Sequence, residues 1–197
     1  MKKGTIILVG ILVLVLLVVM WGIGAYNSLV KKDVAVSAEW SQVENQYQRR
    51  MDLIPNYVET VKGYAKQEKD VLLGVTEARA KVSQITVTKE VLEDPNAFGK
   101  FQQAQDQFSS AISRLLVVAE NYPQLKSNEN FMKLQDELAG SENRIATARK
   151  RYNEVVQEYN AAIRMFPGSI IAAFAGFREK QWFKAREGAE TPPAVKF

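Results

Sequence analysis

The chain begins with a long apolar run and continues with apolar and polar residues in helical alternation. Residues 4–30 contain no charged side chain. A helix rises about 1.5 Å per residue, so roughly 20 residues cross a hydrocarbon core of about 30 Å. Trp21 and Tyr26 lie near the end of the run, where amphipathic aromatic side chains favour the membrane interface. The pattern predicts a polar tail at residues 1–3 and a transmembrane helix at residues 4–26.

A cleaved signal peptide is the competing interpretation of this run. Signal peptides typically carry an apolar region of about 7–15 residues before a small-residue cleavage site. The run here is longer, and Gly22–Ala25 is a weak cleavage signal. Length therefore favours a retained, single-pass anchor.

After the anchor, apolar residues recur at steps of three and four, the spacing of an amphipathic helix. The first predicted helix carries its apolar side chains from Trp40 to Val82. Pro55 lies inside it and predicts a kink or a break, because proline removes a backbone donor and crowds the preceding turn. A β-branched, turn-rich connection follows at residues 82–96.

The second predicted helix has its apolar face between Phe98 and Ala119, and Tyr122-Pro123 ends it. A third opens near Ser127 or Asn128, and a short helix follows Phe166-Pro167-Gly168. No strand pattern of useful length appears. The predicted fold is all-α: a transmembrane helix, then an antiparallel bundle of three long helices plus a short C-terminal helix. We assign the bundle to residues 27–178 and expect residues 179–197 to form a loose tail.

Composition removes several classes of chemistry. The chain has no cysteine and no histidine, which excludes disulfides, thiolate metal sites and Ser-His-Asp or Cys-His catalysis. The net charge of +4 is spread along the chain rather than clustered, so we expect no nucleic-acid partner. No glycine-rich phosphate loop or carboxylate-rich calcium loop is present. We therefore expect no enzymatic activity, no metal and no cofactor.

Charged residues on or beside the apolar faces are the main candidates for a site. Arg50 and Glu68 occupy positions where the periodicity calls for apolar side chains. Because buried charges must be paired, we expect facing helices to form a structural polar network. Its predicted members are Arg49, Arg50, Asp52, Glu68, Arg79, Glu142, Arg149, Asn153 and Asn160. The alternative is an exposed recognition patch around Arg49, Arg50 and Asp52, beside Pro55.

Two Tyr-Asn dipeptides, Tyr152-Asn153 and Tyr159-Asn160, are seven residues apart and so share one face of a helix. We interpret the tyrosines as packing residues and the asparagines as residues that fix helix register. A carbohydrate-binding strip is the less favoured interpretation.

The segment from Met165 to Phe177 is uncharged and, at about 13 residues, too short to span a bilayer. It could close the bundle core, lie on the bilayer surface or dock onto a second copy. The residues expected to make an oligomer or membrane contact are Ile170, Ile171, Phe174 and Phe177.

Two blocks of sequence resemble the LemA family of bacterial membrane proteins. The first contains Gln48-Arg49-Arg50 and Asp52-Leu53-Ile54-Pro55-Asn56; the second contains Asn130-Phe131, Glu142-Asn143 and the two Tyr-Asn dipeptides. One departure is Gln67, where many relatives are expected to carry histidine. The resemblance implies a membrane-anchored helical bundle in the bacterial inner membrane and supplies no activity.

The function expected from these features is a non-enzymatic scaffold that self-associates on the lipid bilayer and organises the cell envelope or a membrane assembly. The alternative is an adaptor or regulator of a membrane protease or another membrane enzyme. Lysines flank the anchor on both sides, so charge barely decides its orientation. Because long domains translocate largely regardless of charge, we expect the bundle on the outer, periplasmic side.

Overall fold

A computed structural model of the chain describes residues 3–65 and 67–184, except for the side chain of Lys126. Within these residues the fold is all-α, as predicted, with seven helices and no strand. The helices are α1 (Lys3–Tyr64), α2 (Lys69–Ser83), α3 (Lys89–Glu93), α4 (Pro95–Glu120), α5 (Pro123–Lys126), α6 (Glu129–Arg164) and α7 (Gly168–Ala175).

One helix, α1, serves as both the apolar N-terminal segment and the first helix of the bundle. Its side chains at residues 3–21 are all exposed, and its first part is long and apolar enough to cross a membrane. Burial begins at Leu29 and recurs along one stripe to Val61. The helix continues through Pro55, so the predicted alternative of a break there is wrong. The kink at Pro55 stays a prediction.

Three helices meet along stripes with the steps of three and four that typify coiled-coil packing. We call these stripes the seams. The seam of α1 is Leu29, Asp33, Val36, Trp40, Val43, Tyr47, Arg50, Ile54, Tyr57 and Val61. The seam of α4 is Phe98, Phe101, Gln105, Phe108, Ile112, Leu115 and Ala119. The seam of α6 includes Phe131, Leu138, Ser141, Ile145, Ala148, Tyr152 and Tyr159.

Cross-helix contacts establish the direction of each helix. Lys32 pairs with Glu158 on α6, and Tyr57 packs against Phe131, so α1 and α6 are antiparallel. Trp40 contacts Phe98 at the start of α4, with ring centroids 6.2 Å apart. Arg50 lies further along α1 and contacts residues further along α4, so these two helices are parallel.

The end of α1 at Tyr64 and the start of α2 at Lys69 correct the prediction of a first helix that continues to Val82. Beyond Tyr64, α1 would extend past the start of α6 and leave its seam without a partner. The chain instead reverses, and the Glu68 amide donates to the Ala65 carbonyl at 3.1 Å. Helix α2 then returns antiparallel to α1 and buries Val75 and Val82 in the core shared with α4. The end of the bundle away from the apolar segment therefore has four helices.

The opposite end of the bundle is closed by the C-terminal residues. Helix α7 packs against α1 and α6, and Gly176 ends it with a φ of 74°, a conformation that favours glycine. The segment Arg178–Lys184, which we call the C-terminal segment, then extends along α6. The expected loose tail from residue 179 is therefore wrong for residues 179–184, and residues 185–197 lie outside the described residues.

Candidate functional site

A buried arginine lies at the centre of the bundle. Arg50 is only 1% exposed. Its Nη1 donates to Ser109 Oγ at 2.7 Å and to Glu142 Oε1 at 2.8 Å, and its Nη2 donates to Gln105 Oε1 at 2.5 Å. We call these four residues the polar layer. It joins α1, α4 and α6 through one guanidinium.

Aromatic rings complete the environment of the Arg50 guanidinium. Its central carbon lies 5.2 Å from the Tyr47 ring centroid and 5.0 Å from that of Phe108, distances at which a cation is attracted to a ring face. Burial raises the pKa of Tyr47, although the positive charges of Arg149 and Arg50 oppose that rise. The Tyr47 phenol therefore stays protonated and neutral near pH 7.

The polar layer separates two apolar cores. The core nearer the membrane contains Trp40, Tyr47 and Tyr152, and the distal core contains Ile54, Phe108 and Leu138. A polar group at a seam position fixes the register of packed helices, because any shift would leave it without partners. The polar layer therefore defines how α1, α4 and α6 align along their length.

The structure divides the predicted polar network into separate contacts. Only Arg50 and Glu142 of the predicted set meet in the polar layer. The exposed Arg49 pairs with Glu137 at 3.0 Å, and Asp52 accepts from Gln48 at 2.8 Å. The remaining contacts outside the C-terminal segment are Glu68 with the Tyr122 hydroxyl at 3.2 Å, and Arg79 with the Met51 carbonyl at 3.1 Å.

The two predicted asparagines bind the backbone of the C-terminal segment. Asn160 donates to the Lys180 carbonyl at 2.8 Å and accepts from the Lys180 amide at 2.9 Å. Asn153 makes the same pair of bonds with Phe183, both at 2.9 Å. Each side-chain amide thus satisfies one backbone donor and one backbone acceptor that lie away from water, as a neighbouring strand would.

The two tyrosines beside these asparagines bind the same segment. Tyr152 donates to the Gln181 carbonyl at 2.9 Å, and Tyr159 donates to the Arg178 carbonyl at 3.0 Å. Burial raises the pKa of both phenols, and the charges of Asp33 and Glu93 raise that of Tyr159 further. Both hydroxyls therefore remain protonated donors at neutral pH. The Tyr-Asn dipeptides form a clamp for an extended chain.

The side chains of the C-terminal segment also enter the bundle. Phe183 stacks on Trp40 with centroids 6.0 Å apart, and Arg149 lies over the Phe183 ring at 4.3 Å. Lys180 is 3% exposed and pairs with Glu93 at 2.7 Å and Asp33 at 3.3 Å. The segment therefore fills a groove and neutralises two partly buried carboxylates within it.

Sequence reasoning missed several of these residues. Gln105 had a usable signal, since it interrupts the regular apolar spacing of α4 just as Arg50 interrupts that of α1. Ser109 and Lys180 had none, because polar residues in those surroundings look like solvated positions. Asp33 continues the steps of the α1 seam but follows two lysines and looks like a surface residue.

The predicted contact residues of the short helix divide between two environments. Ile171 and Phe177 pack against the core nearer the membrane, whereas the side chains of Ile170 and Phe174 are exposed.

Among the described residues, no group of three acidic side chains is placed to hold a metal ion. A groove of about 950 Å³ between α2 and α4 is open and is lined in part by Gly74, Ala78 and Gly99.

The polar layer predicts a large stability difference between two adjacent arginines. Arg50→Ala should lower the free energy of unfolding by about 2–5 kcal/mol, because buried Gln105 loses its hydrogen-bond partner and the shortened side chain leaves a cavity between the three helices. Arg49→Ala is the matched control; it removes an exposed pair worth about 0–1 kcal/mol. Urea unfolding of the full chain in nanodiscs, followed by circular dichroism, measures both. Equal losses in the two variants would contradict the structural role of the layer.

The clamp predicts local rather than global loosening. Asn153→Ala with Asn160→Ala should speed amide exchange at Lys180 and Phe183 by roughly 10- to 100-fold, because each buried amide loses a bond worth about 1–3 kcal/mol. Asn143→Ala, an exposed position on the same helix, should leave these amides unchanged. Hydrogen–deuterium exchange with mass spectrometry resolves the segment. Unchanged protection in the double variant would show that side-chain packing alone holds it.

Comparison with known proteins agrees with this architecture. A sequence model of the LemA family matches residues 39–197. Magnetosome protein MamQ 2 of Paramagnetospirillum magneticum is 27% identical over 183 residues, which is 85% of this chain and 67% of the relative. Magnetosome protein MamQ of Magnetospirillum gryphiswaldense is 26% identical over the same shares.

A further relative carries the family's own name. Protein LemA of Metamycoplasma hominis is 23% identical over 165 residues, covering 84% of this chain and 71% of the relative. The family match includes the polar layer, the clamp, α7 and the C-terminal segment. The chain belongs to the LemA family.

Proposed function

We propose that this protein is a non-enzymatic membrane scaffold whose bundles associate with one another and organise the bacterial envelope or a membrane assembly. The single observation that carries the proposal is the unbroken helix α1, Lys3–Tyr64. A tether that only localises a domain has no need of a rigid connection. Here the apolar segment and the first bundle helix form one continuous helix.

A rigid connection between the span and the bundle reduces the loss of orientational entropy that opposes association. A domain on a flexible linker samples many orientations and loses them when it packs beside a second copy. Forty or so residues of α1 beyond the span extend about 60 Å at 1.5 Å per residue. Copies held in one orientation by the bilayer are already aligned for side-by-side contact.

Internal contacts keep this projection stiff. The polar layer binds α1 to α4 and α6 midway along the bundle. The C-terminal segment crosses from α6 towards α3 and α4, where the Gln181 amide donates to the Leu92 carbonyl at 2.7 Å and Gln102 donates to the Lys184 carbonyl at 3.0 Å. Both terminal nitrogens of Arg50 and both asparagine side-chain amides of the clamp are engaged in contacts within the bundle, which supports a structural rather than a catalytic use.

The names of the relatives also support a role in a membrane assembly. Two of them are called magnetosome proteins, which fits a part in building or ordering a membrane compartment. For this chain, participation in such an assembly is a proposal.

Self-association gives the first test. We expect the full chain in native-lipid nanodiscs to form homo-oligomers in native mass spectra. A seven-residue Gly-Ser insert after Asn27, between the predicted span and Leu29, should weaken them, because it disconnects the bundle from the span. A seven-residue Ala-Leu helical insert at the same place is the control, since two helical turns nearly preserve the phase of the seam.

Two results would contradict the scaffold. A strictly monomeric wild-type chain would remove self-association, and unchanged oligomers with the flexible insert would remove the need for rigid coupling. Stoichiometric co-purification of a different membrane protein with a monomeric chain would favour the adaptor instead. Labelling in intact cells tests sidedness: we propose that Lys150→Cys, on the exposed face of α6, reacts there with an impermeant maleimide. Complete protection there would place the bundle in the cytoplasm.

A further inference from the structure

Helix α7 lies beside α1 at the point where α1 leaves the apolar span. A Cβ on Gly168 would lie 3.8 Å from Leu29 Cδ2, and the Phe177 ring centroid is 5.9 Å from that of Tyr26. If about 20 residues from Gly4 cross the hydrocarbon core, Tyr26 and Leu29 follow it by about 5 to 9 Å. That distance is the depth of the headgroup layer, so α7 lies at the height of the membrane interface.

The two faces of α7 differ in burial. Ala172 is buried, and Ile171 and Phe177 pack against the core. Ile170 and Phe174 are four residues apart on α7, which places them on the other face, and Phe174 is 90% exposed. Phe166, in the turn that precedes α7, is 77% exposed. One face closes the bundle, and the other presents bulky apolar side chains with no protein cover.

The charges around α7 fit a lipid surface. No charged residue occurs from Met165 to Phe177, while Arg178 follows the helix and Lys31 lies on the adjacent turns of α1, both exposed. Cationic groups that border an apolar face are attracted to anionic headgroups. An apolar face at interface height with basic residues at its margin is the arrangement of a helix lying in the plane of the membrane.

We propose that α7 inserts its Ile170 and Phe174 face, together with Phe166 of the preceding turn, into the headgroup–acyl boundary of the same bilayer that α1 crosses. The bundle then contacts the membrane at two places, and the second contact further restricts the tilt that α1 already limits. The inference rests on α1 crossing the membrane and is independent of self-association. Failure of the scaffold proposal would therefore leave it intact.

Because the natural chain has no cysteine, single spin labels can test the depth of α7 in the full-length protein. The labelled variants are Phe174→Cys and Ile170→Cys, in nanodiscs of phosphatidylcholine and phosphatidylglycerol. Leu17→Cys in the span is the buried reference, and Lys150→Cys on the bundle is the aqueous reference. We expect both α7 labels to collide more often with oxygen than with a water-soluble nickel chelate, the order expected at Leu17 and the reverse of that at Lys150.

Two outcomes would overturn the inference. Nickel collisions at both α7 labels that match those at Lys150 would show a water-exposed face. Protection accompanied by dipolar broadening, which disappears when labelled protein is diluted with unlabelled protein, would show that a second copy covers the face. The two positions guard against a local effect of either label, and the circular dichroism of each variant shows that it is folded.

Discussion

The rest of this structure depends on one helix, α1, whose side chains suit two environments: a bilayer along its first part and the packed core of the bundle along its second. The first residues of α1 expose apolar side chains in every direction, as a bilayer requires, and from Leu29 onward the same helix buries a single stripe. Because the backbone hydrogen bonds continue between these parts, the position of the seam around the helix is set where α1 leaves the membrane. The placement of α4, α6 and α7 follows from the side of α1 on which the seam lies. We propose that the anchor orients the bundle as well as holding it at the bilayer.

The polar layer and the clamp select one packing arrangement of the helices and of the C-terminal segment. Apolar seams alone would tolerate a shift of one heptad, because one layer of aliphatic and aromatic side chains resembles the next. Arg50 does not tolerate it, since Gln105, Ser109 and Glu142 lie at one height only. The Tyr-Asn dipeptides then hold an extended segment against α6 where α2 is too short to cover the membrane-proximal end. Polar side chains specify the fold, and apolar burial stabilises it.

Much of the fold could be predicted from the sequence because it depends on local periodicity. The apolar N-terminal segment and the helical seams follow from hydropathy, and the need of Arg50 for polar partners on facing helices follows from the cost of an isolated buried charge. The reversal of the chain between α1 and α2 could not be predicted from the sequence, because it is set by where the partner helix α6 begins. The ordered path of Lys180 and Phe183 could not be predicted either, because an extended segment has no helical periodicity. Its order comes from contacts with Asn153 and Asn160 on another element. Sequence identified these asparagines but not what they bind.

The continuity of α1 across the membrane boundary is the central claim, and a distance between two labels tests it most directly. Leu17 lies in the span and Ser41 on the exposed side of the bundle part of α1. Twenty-four residues of straight helix separate them by about 36 Å. Double electron–electron resonance on Leu17→Cys with Ser41→Cys, in nanodiscs with excess unlabelled chain, should give one narrow distribution near that distance. A broad or markedly shorter distribution would show a hinge between anchor and bundle and would contradict the account.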